Sequence, residues 1–131
     1  MNETDYGGKI LSELNIEKEL GVVVRAADDK HGEDIVALDM QSVSLLADYF
    51  VIVSANSQRQ IEAIVDGIDE QITKAGYSIR RIEGNKNSNW VLIDLGDIVV
   101  HVFQTEERQF YNLEKLWSEA PQKDVSQWLV K

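Results

Sequence analysis

Residues 90 to 103 read Trp90-Val91-Leu92-Ile93-Asp94-Leu95-Gly96-Asp97-Ile98-Val99-Val100-His101-Val102-Phe103. Two apolar runs flank the dipeptide Gly96-Asp97, which predicts two strands joined by a two-residue turn. So short a loop fixes the register: Leu95 faces Ile98, Ile93 faces Val100, and Val91 faces Val102. That face is wholly aliphatic and is expected to lie on the core. The opposite face pairs Trp90 with Phe103, Leu92 with His101, and Asp94 with Val99. Aromatics beside a histidine and a carboxylate point to a recognition surface, because aromatic residues are enriched at the centres of interfaces. The competing reading is a sheet covered by helices on both sides, in which Trp90 and Phe103 only pack.

Outward from this hairpin the chain alternates helical and extended patterns. Residues 1 to 14 are polar, contain Gly7-Gly8, and read as a loose leader. Leu20, Val23, Val24 and Ala27 predict a helix from about Ile16 to Lys30. Gly32 is expected to stop it, with His31 beside it favouring the helix dipole. Strands are expected at Ile35–Asp39 and at Asp48–Val53, the second with an unbroken apolar run that suits a central position. Ser57 and Gln60 form a capping box. The helix that follows carries Ile61, Ile64, Val65, Ile68 and Ile72 on one stripe and closes at Lys74 and Gly76. A strand at about Ser78–Ile82 and a polar loop, Glu83–Asn89, lead into the hairpin. After it, Thr105 is the expected N-cap of a short helix that runs into Asn112–Trp117. Pro121 is expected to end the ordered domain. The fold class read from this order is α/β, a single domain with a mixed five-stranded sheet flanked by helices.

Composition narrows the function. The 131 residues include 13 basic and 23 acidic ones, a net charge of -10. Such a chain is repelled by phosphate, which argues against general or sequence-specific nucleic-acid binding and favours a basic protein partner. There are no cysteines, so disulfides, thiolate zinc sites and cysteine nucleophiles are excluded. No apolar run has the length of a membrane span, and the first residues lack the features of a signal peptide. A cytoplasmic protein is expected.

Candidate chemistry is sparse. Asp39, Asp48, Asp94 and Asp97 lie near strand ends, where paired carboxylates could hold a divalent ion, but Asp94 and Asp97 straddle a tight turn. Ser54-Ala55-Asn56-Ser57 sits where a phosphate-cradling turn would, without its glycines or lysine, and reads better as a helix cap. His101 could act as a base near neutral pH, with Asp94 on its diagonal, but no nucleophile accompanies the pair. Arg108, Tyr111 and Trp117 are residue types common at binding hot spots, although Tyr111 and Trp117 could instead cover the sheet edge. No cofactor or metal is expected.

Five segments together carry a resemblance: Asp34-Ile-Val-Ala-Leu-Asp39, Leu46-Ala-Asp-Tyr-Phe-Val-Ile-Val53, Asn56-Ser-Gln-Arg-Gln60, the hairpin 90–103, and Arg108-Gln-Phe-Tyr-Asn-Leu-Glu-Lys-Leu-Trp117. In this order they closely resemble the ribosomal silencing factor family, also called Iojap. The resemblance covers about residues 18 to 121, with 1–17 as a flexible leader and 122–131 as a C-terminal tail. It implies a nucleotidyltransferase-like fold without that enzyme's active site, since the expected Gly-Ser turn and Asp-x-Asp are missing. It implies a non-enzymatic repressor of translation. Such a protein binds the large ribosomal subunit through ribosomal protein L-fourteen and blocks joining of the small subunit under nutrient limitation. The implied partner-binding residues are Trp90, Asp94, Asp97, His101, Phe103, Arg108, Tyr111, Leu113, Leu116 and Trp117. Two rivals are a divergent magnesium-dependent nucleotidyltransferase using Asp94 and Asp97, and a homodimeric scaffold that buries the same apolar face on itself.

Overall fold

The computed structural model describes residues 3–85 and 87–130, so Met1 and Asn2 of the expected leader, Lys86 of the polar loop and Lys131 of the tail lie outside it. The hairpin forms β4 (Trp90–Asp94) and β5 (Ile98–Gln104), and its register is the one its turn dictates. Gly96 takes φ +93, which a side chain would resist, and the Asp94 carboxylate accepts from the Gly96 amide at 2.8 Å. Leu95 N–H donates to Ile98 O at 2.9 Å and closes the turn.

Around this hairpin lie β1 (Glu33–Asp39), β2 (Tyr49–Ala55), β3 (Arg81–Glu83) and a two-residue β6 (Gln122–Lys123). The sheet order is β3-β4-β5-β2-β1-β6. Strands β2 and β5 run parallel and the other pairs are antiparallel. The α/β fold with a mixed sheet is therefore as expected, and β2 is central and buried on both faces. The sheet has six strands rather than five. The sixth follows Pro121, whose ring nitrogen has no hydrogen to donate but whose carbonyl accepts from Asp39 N–H at 2.7 Å. A proline at an edge does not end the sheet.

Helix α1 (Glu3–Asp29) begins well before Ile16 and runs through the segment expected to be a loose leader. Glycines at positions 7 and 8 lower helix propensity without the clash that a proline would bring. At its other end His31 adopts φ +63 and Gly32 N–H returns to Ala27 O at 2.9 Å, so backbone geometry terminates the helix. Helix α2 (Gln58–Lys74) starts at Ser57, whose hydroxyl accepts from Gln60 N–H at 3.1 Å, while Gln60 Oε1 accepts from Asn56 N–H at 2.7 Å. Both helices cover the aliphatic face. Leu20, Val23, Ile61, Ile64, Ile68 and Ile72 meet Val91, Ile93, Ile98, Val100 and Val102 there, all buried.

The expected tail is part of this packing. Val125 is buried in the same core, and Trp128 in a 3-10 turn (Ser126–Trp128) lies on α1. A Cβ at Gly21 would stand 2.5 Å from the Trp128 ring nitrogen, so only glycine admits so close an approach. Lys123 Nζ bonds Glu17 at 3.0 Å, and Val130 N–H bonds Asp28 at 2.8 Å. Among the described residues no helix is long and apolar enough to cross a membrane.

Candidate functional site: a half-covered aromatic face

The other face of the sheet carries Trp90, Leu92 and Asp94 from β4, Val99, His101 and Phe103 from β5, and Phe50 and Ile52 from β2. It has no long helix over it. Two short ones follow β5 directly: α3 (Thr105–Tyr111) and α4 (Leu113–Leu116). Thr105 is the first residue of α3 rather than its cap, and its hydroxyl donates to Ala55 O at 3.2 Å. Asn112 turns the chain between them in the left-handed region at φ +49, a conformation asparagine tolerates better than most residues. Leu113 and Trp117 then fold back onto Leu38, Met40, Ile52 and Phe103, forming a second, smaller core.

Cover is incomplete. Phe103 is fully buried and His101 nearly so, while Trp90, Leu92, Val99, Phe50, Leu113 and Trp117 are half-buried. Tyr111, Phe110 and Leu116 stand outside, with Leu116 69% exposed. The rings form a continuous string. Trp117 meets Phe50 at 6.0 Å, Phe50 meets His101 at 4.9 Å, and Trp90 stacks on Phe103 at 4.7 Å and meets Tyr111 at 4.8 Å. Such contacts hold large side chains in place.

His101 is one of the fixing points. Trp90 Nε1–H donates to His101 Nδ1 at 3.2 Å, which sets the indole's orientation and leaves the histidine proton on Nε2. Burial pushes the imidazole down to about 4, so it stays neutral near pH 7, with its one acceptor nitrogen engaged by the Trp90 indole. Its Nε2 has no hydrogen-bond partner among the described residues. Asp94 does not pair with it. The Asp94 carboxylate is taken by the Gly96 amide and by Arg81 Nε at 3.6 Å.

Arg108, expected as a contact residue, is buried as a staple. Its Nε bonds Glu114 at 2.9 Å, and its Nη1 donates to Asp34 O at 2.6 Å and Ser54 Oγ at 2.8 Å. It thereby ties α3 and α4 to β1 and β2, and with Phe103 it supports the face from beneath. It also lines an open cleft of about 710 Å³ with Asp34, Ser54, Thr105, Asn112 and Glu114. Two carboxylates there oppose one engaged guanidinium, a poor setting for phosphate. Among the described residues no three His, Asp or Glu side chains are placed to hold a metal ion.

The expected site residues thus separate into three groups. Trp90, Asp94, Tyr111, Leu113, Leu116 and Trp117 line or rim the half-open face. His101, Phe103 and Arg108 hold it from within. Asp97 is exposed at the end of the sheet, where its carbonyl accepts from Asp48 N–H at 2.7 Å and Tyr49 N–H at 3.1 Å. Sequence reasoning missed Phe50 and Phe110 on the face, and the exposed Leu45 and Leu46 in the β1–β2 loop. Two adjacent leucines in a connection between strands were the available signal for the last pair.

A sequence profile of the family described as "Ribosomal silencing factor during starvation" matches residues 13–131, which takes in the segment after Pro121. The ribosomal silencing factor RsfS of Bacillus subtilis (strain 168) is 48% identical over 112 residues, covering 86% of this chain and 95% of that protein. The protein of the same name from Halalkalibacterium halodurans is 50% identical over 102 residues, 78% of this chain and 87% of its own length. A crystal structure from Bacillus halodurans superposes with a TM-score of 0.74 at 45% identity, covering 82% of this chain and 98% of that one. At this identity, over nearly the whole length of those proteins, likeness extends beyond the fold: the chain belongs to the ribosomal silencing factor family.

Proposed function

We propose that this chain is a non-enzymatic repressor of translation. It docks its half-covered aromatic face on the large ribosomal subunit, through ribosomal protein L-fourteen, and excludes the small subunit by occupying its joining surface. The observation that carries this reading is the string of half-exposed rings, Trp90, Phe50, Trp117 and Tyr111, rimmed by Phe110 and Leu116. An apolar surface held rigid in the free protein is what a tight protein interface needs at its centre. The acidic chain favours a basic ribosomal protein over bare RNA, and Asp94 at the edge of the face supplies charge for registering it. Occlusion requires binding alone, so no catalytic constellation is called for. In ribosome-free solution the same apolar patch favours pairing of two copies, which light scattering over a concentration series reads.

The test is sedimentation of the purified chain with separated subunits, followed by a joining assay at fixed magnesium. Co-sedimentation with large subunits only, and a lowered yield of joined ribosomes, is expected. Equal binding to both subunits, or to neither, overturns the proposal, as does undiminished joining.

A further inference from the structure

The staple uses only part of the Arg108 guanidinium. Its Nε donates to Glu114 and its Nη1 to Asp34 O and Ser54 Oγ, whereas Nη2 donates to nothing among the described residues. Arg108 is 9% exposed. The one buried side-chain atom left without a partner among the described residues is His101 Nε2, so Arg108 Nη2 is not sealed from solvent. It opens on the cleft of about 710 Å³ that Arg108 lines. A guanidinium held this firmly, with the N–H bonds of one nitrogen free, is a preorganised donor for a carboxylate or carbonyl oxygen.

Asp34 lines the same cleft, and its backbone is unusual. It takes φ +48, in the left-handed region, and the pairing of β1 with β2 slips between Glu33 and Val36. Such bulges re-aim side chains and recur beside functional sites, and a residue held at positive φ carries strain that its surroundings must offset. The slip brings the Asp34 carbonyl to 2.6 Å from Arg108 Nη1, which keeps the Asp34 carboxylate within a side chain's length of the guanidinium. That carboxylate is exposed and has no ion pair or hydrogen bond among the described residues. Glu114 gives one oxygen to Arg108 Nε and keeps the other free. Ile35 and Val36, both half-buried, supply an apolar wall. None of the rings of the aromatic face lines this cleft.

We propose that the cleft binds a small zwitterion, an α-amino acid with an aliphatic side chain. Its carboxylate accepts from Arg108 Nη2, its ammonium donates to Asp34 and to the free oxygen of Glu114, and its side chain lies on Ile35 and Val36. The arrangement of charge decides the class. A phosphate brings further negative charge against two carboxylates and a guanidinium already engaged. A simple amine leaves Nη2 unused, and a simple carboxylate leaves Asp34 unused and is repelled by it. A metal ion finds no three convergent ligands among the described residues. A zwitterion uses both halves of the site and adds no net charge to a chain that already carries -10.

Titration of L-leucine into the isotope-labelled full chain, followed by backbone amide and arginine side-chain NMR shifts, tests the proposal. Saturable shifts are expected at residues 34–36, at Ser54 and at residues 108–112, Arg108 Nε included, with a Kd of about 1 mM for so small a ligand. Leucinamide lacks the carboxylate and N-acetyl-leucine lacks the ammonium. Each is expected to bind about tenfold more weakly or worse, since each forfeits one charge-assisted contact. Asp34→Asn keeps a residue type that accepts positive φ, so the fold should stand. It is expected to weaken leucine about tenfold and not to weaken N-acetyl-leucine, which has no ammonium for Asp34 to hold. Glu62→Gln, at an exposed position of α2, should leave leucine binding unchanged. Equal binding of leucinamide overturns the proposal, as does equal binding of N-acetyl-leucine or full affinity for leucine in Asp34→Asn. So do shifts that fall elsewhere, or that fail to saturate up to about 50 mM leucine, far above the expected Kd.

Discussion

The two faces of one sheet are finished in different ways. Against the aliphatic face lie α1 and α2, of 27 and 17 residues, and the strand residues Val91, Ile93, Ile98, Val100 and Val102 are almost or wholly inaccessible to water. Against the aromatic face lie helices of seven and four residues, which reach only part of it. The first face buries branched aliphatics under long helices and supplies most of the stabilising area. The second spends large rings on a surface left partly wet, held by stacking, one indole–imidazole hydrogen bond and the Arg108 staple. A single sheet therefore provides rigidity on one side and, on the other, leaves a half-open aromatic surface, the contact proposed here. Substitutions on the two sides should have different signatures.

The largest effect on folding is expected on the sealed side. Ile93→Ala should cost about 3 kcal/mol in urea unfolding, because the cavity it leaves is walled by two helices that cannot collapse into it. The ribosome affinity of the folded fraction should not change. If affinity falls while stability holds, the faces have been assigned the wrong way round. Arg108→Ala should cost about 2 kcal/mol of stability, since it strands Glu114, Ser54 and the Asp34 carbonyl. A variant of unchanged stability that has lost affinity would return Arg108 to the contact surface.

On the open side the signature reverses. Leu116→Asp should leave stability within about 0.5 kcal/mol, because the side chain is exposed. It should weaken binding to large subunits by about 2 kcal/mol if it borders the central rings. Equal affinity of variant and parent in a subunit titration would remove α4 from the interface.

The smallest effects are titrations of opposite sign. Burial, then Asp97, raises Glu19 from 4.5 to about 7. The folded state thus holds this proton more tightly than the unfolded one, and stability falls as pH rises from about 4.5 through 7. Glu19→Gln should remove that fall and stabilise the chain at pH 8 by on the order of 1 to 2 kcal/mol. His101 runs the other way. Its folded value of about 4 lies below the ordinary 6.5, so stability it contributes above pH 6.5 is lost as pH falls toward 4. Thermal unfolding of the parent and of Glu19→Gln across this range reads both. An unchanged pH profile in Glu19→Gln would show that the carboxylate is solvated.

The difference between the faces was only half legible in the sequence. The hairpin register was, because a two-residue turn leaves no freedom and a period of two then sorts every side chain. The cap at Ser57 and the stripe of α2 were legible for the same local reason. What escaped depended on distant partners. Arg108 looks like a hot-spot residue until Asp34 and Ser54, far back in the chain, reach its guanidinium. Strand β6 has two residues and no pattern of its own, and only the open edge of β1 makes it a strand. Trp128 reads as tail until Gly21 gives it a seat on α1. The aromatic face was identified from four residues, but its extent was not, since Phe50 and Phe110 join it from β2 and α3 through the fold alone. Asp97 was grouped with Asp94 by proximity in sequence, whereas the turn sends it to the end of the sheet.

Hydroxyl-radical footprinting of the chain, free and bound to large ribosomal subunits, compares the faces within one molecule. Trp90, Phe110, Tyr111, Leu116 and Trp117 report on the open face, and Trp128 and Tyr77, both half-buried against the other layer, report on the sealed one. Docking through the aromatic face requires that the first group lose reactivity on binding while Trp128 and Tyr77 keep theirs. Loss of reactivity at Trp128 and Tyr77, with Trp90, Tyr111 and Trp117 unchanged, would contradict it.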